Sequence, residues 1–160
     1  MQSLSGMTAG ELCVRDVVTA SLDESVIDAA RRMAALHAGD VVVVTGGSGG
    51  TLPHPIGIVT DRDLVVRVLA EGRDPATTPL DEIMQHDLVI AREDDTVEHV
   101  LEKMREHAVR RVPIVDRAGG LTGVLSLDDL VGWMRDQLQA ATILLERQGQ
   151  GPLLHARATR

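Results

Sequence analysis

The 160-residue chain repeats itself, and that repeat constrains the fold more than any other feature. Glu11 falls on Glu82, Asp16 on Asp87, Val18 on Val89, Asp23 on Asp94, Val26 on Val97 and Met33 on Met104, always 71 positions on. Val43-Val44 falls on Ile114-Val115 at the same spacing. Beyond that point the offset drops to 66, so that Gly57 meets Gly123, Asp63 meets Asp129, and Leu64-Val65 meets Leu130-Val131. The difference lies in Gly46–Gly50 and the Pro53-His54-Pro55 that follows. Such sequence forms loops, where insertions are tolerated.

Each copy carries the same order of signals. A short apolar strand (Val17–Thr19; Leu88–Ile90) leads to Asp23 or Asp94, a good helix N-cap. Apolar residues at helical spacing follow: Val26, Ala29, Ala30 and Met33 in one copy, Val97, Val100, Leu101 and Met104 in the other. A buried strand (Val41–Val44; Val112–Val115), a turn and a further strand (Ile56–Thr60; Leu121–Ser126) come next. A second helix starts near Asp61 and near Leu127. The fold class is therefore α/β (α+β), two modules of strand-helix-strand-strand-helix. Neither copy is large enough to bury its apolar faces alone, so the two should pack together pseudo-symmetrically. The expected boundaries are a first module over 8–72, a linker over 73–80, a second module over 81–135, a helical extension over 136–148 and a flexible tail over 149–160.

Composition excludes several classes of partner. A net charge of -8 is the wrong sign for nucleic acid, which is bound by basic side chains that displace counterions from phosphates. Single-strand binders also stack bases on aromatic rings, and Trp133 is the only aromatic residue. The longest apolar runs, Val41–Val44 and Ile143–Leu145, are far short of the ~18 residues needed to span a bilayer. A single cysteine, Cys13, and an N-terminus without a basic stretch ahead of an apolar run point to a reducing, cytoplasmic location.

The sharpest local motif is a hydroxyl residue, two positions, then Asp: Thr60 with Asp63 and Ser126 with Asp129. Each follows an apolar strand and opens a helix. One reading is a capping box, in which hydroxyl and carboxylate satisfy backbone N–H groups at the helix start. The other is a ligand site, because a carboxylate there can accept hydrogen bonds from the two vicinal hydroxyls of a ribose.

Here the chain resembles the CBS-domain family. The resemblance rests on Gly57-Ile58-Val59-Thr60-Asp61-Arg62-Asp63-Leu64, Arg111-Val112-Pro113-Ile114-Val115-Asp116 and Gly123-Val124-Leu125-Ser126-Leu127-Asp128-Asp129-Leu130, and it covers roughly residues 8–135. It implies a tandem pair that binds adenosine-containing ligands, AMP, ADP, ATP, S-adenosylmethionine or NAD, in clefts between the two modules. It places the ribose on Asp63 and Asp129 and the adenine near Val18 and Val89. Ile58 and Val124 would form another apolar wall. Arg110 and Arg111 stand where the family often contacts phosphate; Gly39 and Asp40 depart from that pattern, and Arg62 occurs where the second copy has Asp128. A solvated salt bridge is the ordinary alternative for each arginine. The two sites should thus differ, the one near Arg110 and Arg111 suiting a phosphorylated ligand.

No nucleophile–base constellation can be assembled, so no enzymatic activity and no required cofactor are expected; the adenosyl nucleotide would be a regulatory ligand. Gly46–Gly50 is not followed by Gly-Lys-Ser/Thr and reads as a mobile hairpin loop rather than a phosphate-binding one. His99 and His107, flanking Glu102 and Glu106, lack zinc-motif spacing. The last helix carries Leu130, Trp133, Met134, Leu138, Ala141 and Leu145 on one stripe. That stripe either folds back on its own chain or, with Val65, Val68 and Leu69, forms a homodimer interface. The leading function is a regulatory module read by a further protein. A structural dimerisation module, or a metal- or redox-responsive protein using Cys13 or the histidines, is the competing reading.

Overall fold

The duplicated pattern folds into two three-stranded sheets, seen in a computed structural model that describes residues 6–149. In the first sheet β1 (Thr19–Ala20) lies parallel to β2 (Asp40–Thr45), which is antiparallel to β3 (His54–Thr60). In the second, β4 (Ala91–Arg92), β5 (Arg111–Val115) and β6 (Leu121–Ser126) repeat that order and those directions. A parallel pair needs a crossover, and α2 (Val26–Leu36) and α4 (Val97–His107) supply it. Both hairpins carry an irregularity at the same place, between Val43 and Val44 and between Ile114 and Val115.

Two details differ from the sequence reading. The paired stretches begin later than Val17–Thr19 and Leu88–Ile90, because the chain makes a tight turn just before each: Val17 N–H bonds Arg15 O and Leu88 N–H bonds His86 O, both at 2.9 Å. Residues folded into three-residue turns cannot join an extended ladder. The N-caps are Ser25 and Thr96 rather than Asp23 and Asp94. Their hydroxyls accept from Asp28 N and His99 N, each at 3.3 Å, and they stand immediately before the first apolar residue of each stripe. Asp23 is held instead by Ser21, which keeps its carboxyl below the ordinary range.

The hydrophobic cores show how the copies interlock. The first gathers Val26, Ala29, Met33, Val41, Val43, Val59 and Val68, and it includes Leu80, Ile83 and Met84 from the segment that opens the second copy. The second gathers Val97, Val100, Met104, Val112, Ile114, Leu125 and Leu130, and it includes Ala9 of the short α1 (Ala9–Leu12) that opens the first copy. Each copy thus lends its leading segment to the other. Single bridges seal the exchange, Val14 to Val124 and Ile58 to Gln85. The approach is close enough that a Cβ on Gly57 would strike Met84 Sδ, and one on Gly123 would strike Cys13 Sγ.

The second helices diverge in length. In the first copy α3 (Asp61–Asp63) runs into a wide turn over Leu64–Leu69; in the second, α5 (Leu127–Gly149) extends for 23 residues. Val68 and Leu130 are buried in the cores and so belong to no outer face, whereas Val65, Leu69, Met134, Leu138 and Leu145 are exposed. The glycine-rich insertion returns against the second module: Leu121 N–H bonds Pro53 O at 2.8 Å, and His54 Nδ1 lies 2.9 Å from Gly119 O. Among the described residues no helix is long and apolar enough to cross a membrane. The tail expected from residue 149 lies, after Gly149 itself, outside the described residues.

Candidate functional site

Both crossover helices end in a corner that L-residues seldom adopt. His37 (φ 52°) and Ala108 (φ 53°), equivalent in the repeat, take left-handed conformations as C-caps of α2 and α4. Glycine is usual there, because a Cβ in this region costs about 1–2 kcal/mol. The corner turns the chain sharply into β2 and β5, and it delivers Asp40 and Arg111 to the strand starts. Strand register then sets Asp40 beside Thr60 and Arg111 beside Ser126.

Two clefts result, and each is built from both modules. The first, about 220 Å³, is lined by Ile58, Thr60, Asp61, Arg62 and Gln85 on one side and by Ala108, Val109, Arg110 and Arg111 on the other. The second, about 290 Å³, sets Val14, Asp16, Val17, Val18, Val124, Ser126 and Asp129 against His37, Ala38, Asp40 and again Arg111. The hydroxyl motif of one module therefore faces the helix–strand corner of its partner module. The linings differ in charge: Arg62, Arg110 and Arg111 outnumber Asp61 in the first, while Asp16, Asp40 and Asp129 outnumber Arg111 in the second.

The two motifs share a capping geometry. Asp63 Oδ2 accepts from Thr60 N at 2.9 Å and from Thr60 Oγ1 at 2.6 Å. Asp129 Oδ2 accepts from Ser126 N at 3.0 Å and from the Ser126 hydroxyl. They part at the other oxygen. Asp63 Oδ1 is paired with Arg67 Nε at 3.3 Å, and Asp63 is buried. At the position equivalent to Arg67 the second copy has Trp133, and no described residue bonds Asp129 Oδ1. Asp129, which lines its cleft, thus keeps one carboxylate oxygen without a bond among the described residues.

Across the clefts Arg111 Nε bonds Asp40 Oδ1 at 2.7 Å, joining equivalent positions of the two copies. Burial pushes the Asp40 carboxyl above its ordinary range; Arg111 opposes that, and Asp61 and Asp129 add to it. The Cys13 thiol is likewise pushed up by burial.

Of the residues singled out in the sequence, Ile58, Thr60, Arg62, Arg110 and Arg111 meet in the first cleft, and Val18, Val124, Ser126 and Asp129 meet in the second, which Arg111 also lines. Asp63 lies behind Thr60 rather than on the lining. Val89 lines neither cleft: it packs on the second core and borders a separate hollow with His86, Lys103 and His107. The arginines that distinguished the two copies in sequence gather in a single cleft, because the corner of one module serves the motif of the other. Asp16, His37, Asp61 and Gln85 line the clefts as well, although the sequence did not mark them as site residues. Asp40 was noted only as a departure, although its equivalence to Arg111 with opposite charge was a visible signal.

Comparison with known proteins agrees with this architecture. Residues 9–70 and 80–136 each match the CBS domain. An uncharacterized protein of Methanopyrus kandleri is 33% identical over 80% of this chain, and the matched region spans 63% of that relative's length. A solved structure of an uncharacterized conserved protein from Pyrococcus horikoshii superposes with a TM-score of 0.70 at 25% identity, covering 81% of this chain and 93% of that one. A solved CBS-domain pair in complex with 5′-methylthioadenosine and S-adenosyl-L-methionine superposes with a TM-score of 0.69, covering 81% of this chain and 97% of that one; its 22% identity makes the likeness one of fold. The chain belongs to the CBS-domain family and carries two copies of the domain in tandem.

Proposed function

We propose that this protein is a regulatory sensor of adenosine-containing ligands with no reaction of its own. One observation carries the reading: each cleft joins the motif hydroxyl of one module, Thr60 or Ser126, to the corner of the other. A ligand seated there touches both modules, so its binding energy favours one relative packing of the pair over others. The first cleft suits AMP, ADP or ATP, with Arg62, Arg110 and Arg111 as phosphate donors and Ile58 beside the base. In the second, the open oxygen of Asp129 suits a ribose diol, Val18 and Val124 suit the base, and the acidic lining favours an uncharged or cationic adenosyl ligand such as S-adenosylmethionine. NAD shares the adenosine but brings a diphosphate, which fits only the basic cleft.

The reading extends to assembly and place. The exposed apolar residues Val65, Leu69, Val131, Met134, Leu138 and Leu145 support a homodimer; we place it in the cytoplasm, its altered shape read by a further protein. A purely structural dimerisation module is the second reading, favoured by the engagement of both Asp63 oxygens.

A thermal-shift screen against AMP, ADP, ATP, S-adenosylmethionine and NAD separates the two. A ligand at a hundred times its Kd adds about 2.7 kcal/mol, several degrees of Tm for a domain of this size. Asp129→Ala should weaken the second-cleft ligand by about a hundredfold or more, the loss of two charge-assisted hydrogen bonds. No shift with any of the five would establish the structural module instead.

A further inference from the structure

Among the described residues Arg111 is the one that lines both clefts. Its Nε is engaged by Asp40, which lines only the second cleft. Its Nη2 lies beside Gly39: a Cβ there would stand 3.4 Å from Arg111 Nη2 and 3.8 Å from Oδ2 of Asp61, which lines the first cleft. Among the described residues Asp40 alone engages Arg111, through Nε, so the guanidinium has donors left for an anion in the first cleft it lines. Arginine binds phosphate in just this forked manner, and the pull of a phosphate dianion competes with that of one carboxylate.

We propose that the Arg111–Asp40 pair couples the two clefts, so that an anionic adenosine ligand in the first raises the affinity of the second for a cationic one and lowers it for an anionic one. This rests on the nucleotide reading above. When a phosphate draws Arg111 toward the first cleft, Asp40 is left beside Asp129 without its counter-charge. The second cleft then holds Asp16, Asp40 and Asp129 with its one lining cation turned away. That burial and like charges already strain the Asp40 carboxylate, with Arg111 as the opposing charge, is consistent with its sensitivity to the loss of that partner. Coupling of this kind is reciprocal: each ligand alters the affinity of the other by the same factor.

Calorimetry on the intact protein reads it directly. S-adenosylmethionine, a net cation, is titrated with and without saturating AMP, and AMP with and without saturating S-adenosylmethionine. The expected result is a Kd about fivefold lower for each in the presence of the other. In Asp40→Asn the competitor for Arg111 loses its charge, so AMP alone binds several-fold tighter than in wild type and the mutual enhancement shrinks. Independent affinities in wild type, or displacement of one ligand by the other, would overturn the coupling while leaving the nucleotide reading in place. Failure of AMP and S-adenosylmethionine to bind at all would overturn the nucleotide reading, and the coupling with it.

Discussion

Thr60–Asp63 and Ser126–Asp129 start from the same chemistry and end in different states because of one residue a helical turn on. Arg67 occupies the second oxygen of Asp63, whereas Trp133 offers nothing to Asp129. Loss of Asp63 should therefore be felt mainly as loss of a cap, about 1 kcal/mol of stability, and loss of Asp129 as loss of ligand as well. Asp40 carries a prediction of its own. Burial raises its carboxyl above the ordinary 3.8, against Arg111 and reinforced by Asp61 and Asp129. A raised folded-state pKa means that protonation favours the folded protein. The group's contribution is full below that ordinary value and is lost as pH rises through the folded value. Wild type should therefore lose stability relative to Asp40→Asn over that rise, measured by urea unfolding across a pH series. A difference independent of pH would show that Asp40 titrates as in the unfolded chain.

At the scale of elements, the helices and hairpins were legible because apolar periodicity and the repeat point the same way. Helix starts were less so. Asp23 and Ser25, like Asp94 and Thr96, are all competent caps by chemistry, and only the register of the first turn decides between them. Ser25→Ala and Thr96→Ala should each cost about 1 kcal/mol, while Asp23→Ala should stay within about 0.5 kcal/mol. Urea midpoints on the three variants check this; equal losses at Asp23 and Ser25 would return the cap to Asp23. The first strands shifted for a similar reason, since the turns at Arg15–Val17 and His86–Leu88 depend on backbone bonds that apolar patterning does not encode. The two motifs and their arginines were legible as residues but not as partners. Equivalence in a repeat tells which positions correspond, not which face each other. The pairing of Thr60 with Arg110 is set by tertiary packing, and so is the absence of Val89 from both clefts.

The whole molecule is held as a unit by exchange. Ala9 sits in the second core and Leu80 in the first, so the modules cannot separate without opening both. This makes the clefts sensitive to relative packing, which is what a sensor requires. It also leaves the long α5 with exposed Met134, Leu138 and Leu145, an apolar outlay more natural at an interface than in water. Leu138→Asp should convert a dimer to a monomer by light scattering at micromolar concentration; a wild-type monomer there would contradict the proposed assembly.

An adenosine ligand that bridges the two modules must touch both sides of the first cleft at once. The most direct measurement is an amide NMR titration of the assigned wild-type protein with AMP. Amides at Ile58–Arg62 and at Ala108–Arg111 should shift together, with one common Kd. Shifts confined to one of these segments, or none at saturating AMP, would contradict it.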